Sequence, residues 1–182
     1  FKDGRLMAAI EAIATIYLEA DASSVTFSSI PQTYEHLQLR YTLALNTTNN
    51  SYQRLYLGDG SADEGANYSQ HMMYGHDAAA PVAWSGTSSS IGVYAGQSPG
   101  SSDRSWAGRS IIDILDYVNT NKNTTVLVFN NDGGTASYAD YIQFGSALWD
   151  DTAAVDTILI NDRNGHNFLR GAEFTLYGWN SS

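Results

Sequence analysis

Residues 96–100 read GQSPG, the glycine-x-serine-x-glycine spacing of a nucleophile elbow centred on Ser98. An elbow works when a strand leads into the serine and a helix leaves it, so that the hydroxyl is presented on a strained turn. Here the following SSDRSWAG has no helical periodicity, and the chain as a whole lacks strand-helix alternation. The sequence therefore predicts no catalytic serine. GDGSADEGANYS sets Asp59, Ser61 and Asp63 at alternate positions, a partial set of calcium oxygens, but the bidentate glutamate at the twelfth position of a calcium loop is missing. A solvated turn explains the same residues. His71 and His76 are five apart, which matches no zinc spacing, and His36 and His166 stand far from them; without cysteine no thiolate can complete a site. Asp150 and Asp151 are adjacent, so on a strand they would point to opposite faces and could not flank one glycosidic bond. The expectation is no catalytic residue, no metal and no cofactor.

Aromatic side chains are the stronger signal. Trp84, Tyr94, Trp106 and Tyr74 lie in or beside stretches rich in Gly and Ser. Flat rings held on loops can stack on sugars or anchor a protein contact. Folding back over the ends of the core is the competing use of the same rings.

These side chains need a scaffold. From Leu37 to Leu45 the chain alternates Leu37, Leu39, Tyr41, Leu43 and Leu45 with His36, Gln38, Arg40, Thr42 and Ala44. That period of two predicts a strand with one buried face. Further strands are predicted at Ile13 to Leu18, Val25 to Phe27, Tyr52 to Leu57, Ile91 to Tyr94, Thr125 to Phe129, Tyr138 to Phe144, Val155 to Asn161 and Phe168 to Tyr177. They recur every ten to twenty residues between Asn, Gly, Ser and Asp clusters, the pattern of a sandwich or barrel. IIDILDYV fits helical and strand spacing alike; strand is favoured because NTNKNTT and then VLVF follow, as in a hairpin. Asn164-Gly165 predicts a second hairpin turn. Ser85 to Ser110, rich in Gly and Ser, reads as a long loop.

The chain has 182 residues, 43% of them hydrophobic and 12% aromatic, enough for one packed core. Nine basic against nineteen acidic side chains give a net charge of −10, which disfavours nucleic acid and anionic lipid as partners. LMAAIEAIATIYLEA is broken by Glu11 and Glu19, and no window approaches the ~20 apolar residues of a membrane span, so neither a signal peptide nor a transmembrane helix is predicted. Five N-x-Ser/Thr acceptors, at Asn46, Asn49, Asn67, Asn123 and Asn180, are expected by chance in so Asn-, Ser- and Thr-rich a chain.

SSVTFSSIPQTYEHLQLRYTL, NYSQHMMYG, GRSIIDILDYVNTNKNTTV and FLRGAEFTLYGW together resemble small virion structural proteins of tailed bacteriophages, over roughly Ile13 to Trp179. The resemblance implies an all-β, jelly-roll-like antiparallel β-sandwich on the outer surface of the particle. It also implies a homo-oligomer, commonly a trimer, and no catalytic motif. The expected function is capsid decoration: a cement protein that bridges subunits of a major capsid protein. The alternative is a tail-fibre or receptor-binding module that recognises host surface glycan through Trp84, Tyr94 and Trp106. Residues 13–182 are expected to form the sandwich. Residues 1–12 are expected to form a short helix or arm whose Leu6, Met7 and Ile10 reach a neighbour.

Overall fold

The computed structural model describes residues 10–76, 80–90, 92–98, 107–132 and 141–181. Among the described residues thirteen strands are present: β1 (Ile10–Tyr17), β2 (Ser24–Phe27), β3 (His36–Leu43), β4 (Ser51–Asp59), β5 (Ser61–Ala62), β6 (Tyr68–His76), β7 (Val82–Ser90), β8 (Val93–Ser98), β9 (Gly108–Leu115), β10 (Thr124–Asn131), β11 (Tyr141–Trp149), β12 (Thr157–Asp162) and β13 (Glu173–Trp179). Every pairing is antiparallel. One sheet has eight strands in the order β1-β13-β3-β9-β10-β11-β6-β7. The other runs β2-β12-β4, with β5 and β8 both pairing β4. The fold is an all-β, jelly-roll-like sandwich, and the described residues contain no helix.

Alternation builds the core. Leu37, Leu39, Tyr41, Leu43 and Leu45 are all buried, as the period of two requires. In the same sheet Ile112, Ile114, Val126, Val128, Phe174 and Leu176 join them; the facing sheet supplies Val25, Phe27, Leu55, Leu57, Val93, Ile158 and Ile160. Burying each such side chain contributes about 1.5–3 kcal/mol of transfer free energy, which makes this apolar layer the main support of the fold. IIDIL is a strand, and β9 and β10 form the expected hairpin around residues 116–123.

Four expectations change. Residues 85–110 are not one long loop: β7 extends to Ser90, β8 occupies Val93–Ser98 and β9 starts at Gly108. The Ser- and Gly-rich β7 forms because it is an edge strand, where backbone pairing with β6 suffices and neither face must be apolar. β6 had no predicted strand at all. The turn at Asn164-Gly165 exists, with Gly165 at φ 78° and its N–H on the Asp162 carbonyl, but it does not close a hairpin. Asp162 accepts the N–H groups of Asn164 and His166 and the His166 ring, and the chain then crosses to the other sheet, where buried Phe168 bridges Ala22 and Leu45. Finally, Ile10 to Ala12 extend β1 along β13, with Ile10 opposite Trp179, so this part of the expected arm or helix is strand; Leu6 and Met7 lie outside the described residues.

Candidate functional site

At one end of the sandwich the space between the sheets turns from apolar to polar. Along β8, β9, β10 and β11 the inward positions beyond the Leu/Ile/Val layer are Gln97, Ser110, Asn130 and Gln143, all buried. Buried amides require partners, and these find one another. The Asn130 amide nitrogen donates to the Arg109 carbonyl and the Ser110 hydroxyl, each at 2.9 Å, while its oxygen accepts the Gln97 N–H at 3.0 Å. Gln143 donates to the Gln97 side chain at 3.1 Å, and the Gln70 side chain accepts the Tyr94 N–H at 2.7 Å.

A cleft of about 330 Å³ opens over this floor. Its walls are aromatic: Tyr52 from β4, Tyr74 from β6, Trp84 from β7, Tyr94 from β8 and Tyr141 from β11, with Met72 between them and Arg163 at the rim. The Tyr52 and Tyr94 rings are 4.6 Å apart between centroids, Trp84 and Tyr94 6.0 Å, and Tyr74 and Tyr141 5.9 Å. Register explains the convergence: Met72 pairs with Trp84 across β6 and β7, and Tyr74 pairs with Gln143 across β6 and β11, so all four face inward. Burial, its largest cause, raises the Tyr94 phenol far above its ordinary range; burial and then the nearby Tyr74 raise Tyr52. Both hydroxyls stay protonated at neutral pH, able to donate and to accept.

Of the residues singled out in the sequence, Trp84, Tyr94 and Tyr74 meet here, on strands and not on loops. Trp106 lies outside the described residues. Tyr52, Tyr141, Arg163 and the two glutamines were missed. The inward series Tyr68, Gln70, Met72, Tyr74 and His76 of β6 was the one available sequence signal.

Most of the other candidates are engaged internally. Ser98 ends β8 with its side chain buried and its hydroxyl without a hydrogen-bond partner among the described residues. Asp63 accepts the Gly65 N–H, the Asn67 amide and the Trp149 indole N–H at 2.8–2.9 Å, so its loop is tied by its own groups. Asp150 accepts the Asn123 amide and Asp151 the Ala153 N–H, which makes them turn residues. Glu35, His36 and Asp116 place ligand atoms within 4.8 Å of one another. However, His36 Nδ1 accepts the Asp116 N–H, Lys122 pairs with Asp116, and Ser181 donates to Glu35. A wider hollow of about 520 Å³ lies on the other side of the large sheet, beside Arg40, Arg109, Glu173 and Tyr177. Of its two rings, Tyr41 belongs to the buried core and Tyr177 is covered by the Arg40 guanidinium.

No family model matches the chain, and no curated protein is significantly similar to it. Among solved structures, a fructofuranosidase from Schwanniomyces occidentalis aligns at 6% identity and a TM-score of 0.24 over 86% of this chain and 34% of its own; the chain thus spans about a third of that enzyme. The carbohydrate recognition domain of Emp47p aligns at 7% identity and a TM-score of 0.18, over 95% of this chain and 90% of its own. The Crh5 transglycosylase aligns at 11% and 0.17, over 94% and 90%. At such scores the fold rests on the strand pairing itself.

Proposed function

We propose that this chain is a carbohydrate-binding module, of the receptor-binding kind expected at a virion surface, and that a glycan is its ligand in the aromatic cleft. The observation that carries the reading is the convergence of five rings from five strands over buried amides. Sugar rings offer apolar C–H faces for stacking and hydroxyls for hydrogen bonding, and the cleft supplies both kinds of partner in a concave site. Among the described residues no carboxylate lines it, which favours holding a saccharide over cleaving one.

The test is binding of the purified chain to an oligosaccharide array, followed by calorimetry on the best ligand with wild type and Trp84→Ala. Trp84 is 43% exposed, so the fold should survive its truncation. Loss of one stacking anchor worth about 1.5–3 kcal/mol predicts roughly a ten- to hundredfold weaker affinity. Absence of any array signal, or a Trp84→Ala affinity equal to wild type, would remove the reading.

A second reading is capsid decoration: a protein on the outer surface of a phage particle that bridges subunits of a major capsid protein. The observation in its favour is the exposed apolar face of the large sheet described next, since an assembling protein needs such a surface and a solitary one does not. Density for this chain repeated over the head lattice in cryo-EM maps of particles would support it; density confined to the tail would count against it.

A further inference from the structure

We propose that the outer face of β9, β10, β11 and β6 is the contact between two copies of this chain, packed sheet on sheet. On this face Ile111, Phe129, Phe144 and Met73 stand directly opposite one another, one per strand, through the registers Phe129–Ile111, Phe129–Phe144 and Phe144–Met73. They form a straight row across the sheet, and Ile142 flanks Phe144 one pleat away. All five are 41–55% exposed. With about 150–250 Å² presented by a large side chain, they leave on the order of 400–500 Å² of contiguous apolar surface, the size of a monomer's largest patch, which is often functional.

The row suits a second copy of itself. A two-fold axis in the plane of contact, parallel to the strands and between β10 and β11, sets Phe129 against Phe144 of the second copy and Ile111 against Met73. Each apolar side chain then meets another, as an isologous interface requires. The row itself contains no acidic residue, and Asp113 on the same face of β9 is held by the Gln38 amide, so along the row two copies of a chain with net charge −10 set no carboxylate against another. Extent agrees as well. Four strands, β9 to β6, at a spacing of about 4.8 Å and eight or nine residues at about 3.4 Å cover about 550 Å² in projection and more over corrugated side chains. A standard interface needs about 800 Å² from each partner. Sheets pack face to face with strands aligned within about 30°, a geometry that suits a row of apolar side chains running across the strands.

The measurement is solution mass by light scattering and sedimentation equilibrium at micromolar concentrations, for wild type, the double variant Phe129→Thr/Phe144→Thr, and Phe144→Glu. Threonine keeps strand propensity at these half-exposed positions, and circular dichroism with the unfolding midpoint checks that the fold is kept. The expected result is twice the 19.8 kDa chain mass for wild type and 19.8 kDa for both variants. A wild-type monomer overturns the proposal, including one whose face captures a different protein. So does an oligomer whose mass neither variant changes.

Discussion

Gly96 is the position at which fold and cleft depend most directly on one residue. It lies where β8 slips in register against β4: Gln53 pairs with Gly96 but Arg54 with Tyr94, which leaves Ala95 as an extra residue in a bulge. Its φ is 144°, in a region that residues with a Cβ rarely adopt. A Cβ there would sit 2.5 Å from both the Asn130 amide nitrogen and the Ser110 hydroxyl, the two groups that tie the polar floor together. Gly96→Ala therefore combines backbone strain of about 1–3 kcal/mol with overpacking of about 1–3 kcal/mol, for a total of roughly 2–6 kcal/mol. That is a large share of the ~5–15 kcal/mol of a typical domain. Urea unfolding followed by tryptophan fluorescence should show the midpoint fall at a nearly unchanged slope. In an Asn130→Ala background the alanine at position 96 has room on one side, and the penalty should shrink by about 1–3 kcal/mol in a double-mutant cycle. A Gly96→Ala cost below about 1 kcal/mol, or the same cost in both backgrounds, would refute the steric argument.

Two other perturbations probe the scaffold. Leu39→Ala, at a side chain with no exposure in the middle of β3, should cost about 2–5 kcal/mol in the same urea assay, far more than a change on the outer face. Burial pushes the Asp63 carboxyl up, but the bonds from Trp149, Asn67 and Gly65 outweigh it and hold the group below its ordinary value. A lowered folded-state value contributes stability that is present above the unfolded value and lost as pH falls through the folded one. The urea midpoint should thus drop below about pH 4, and Asp63→Asn should narrow the difference between pH 7 and pH 3; an equal drop in both proteins would exclude Asp63 as a source.

What the sequence made legible follows from how locally each signal is written. β3 could be read because five consecutive inward positions are apolar, and the β9–β10 hairpin because both strands and the polar loop lie within about thirty residues. β6 and β7 were hidden for the opposite reason. Their inward positions include Gln70, Tyr74, His76 and Gly86, so no apolar alternation marks them; β6 is held by pairing with β11 more than sixty residues away, and β7 by its pairing with β6. Trp84 and Tyr94 drew attention by residue type, but their neighbours Tyr52, Tyr141 and Arg163 become visible only through non-local register. Ile111 illustrates the same limit on the other face. In IIDIL it looks like one more core isoleucine, yet Ile112 and Ile114 take the inward positions and Ile111 is left outside.

The two faces of the β11–β6 region invert the usual arrangement of a sandwich strand. Gln143 and Gln70 point inward while Ile142, Phe144 and Met73 point outward, although simple burial would favour the opposite assignment. A one-residue slip would exchange the faces, but it would move Ala147 and Trp149 on β11, and Tyr68 on β6, out of the core at the far end of the same strands. Register is therefore fixed by the apolar half of these strands, while the amide and ring side chains of the other half are carried inward at a desolvation cost that hydrogen bonding only offsets. A sequence that places amides inside and phenylalanines outside on the same strand spends stability at both surfaces. Occupation of the cleft by a polar, ring-bearing ligand and of the outer face by a second apolar sheet would recover it, which links the two proposals through a single feature of the chain.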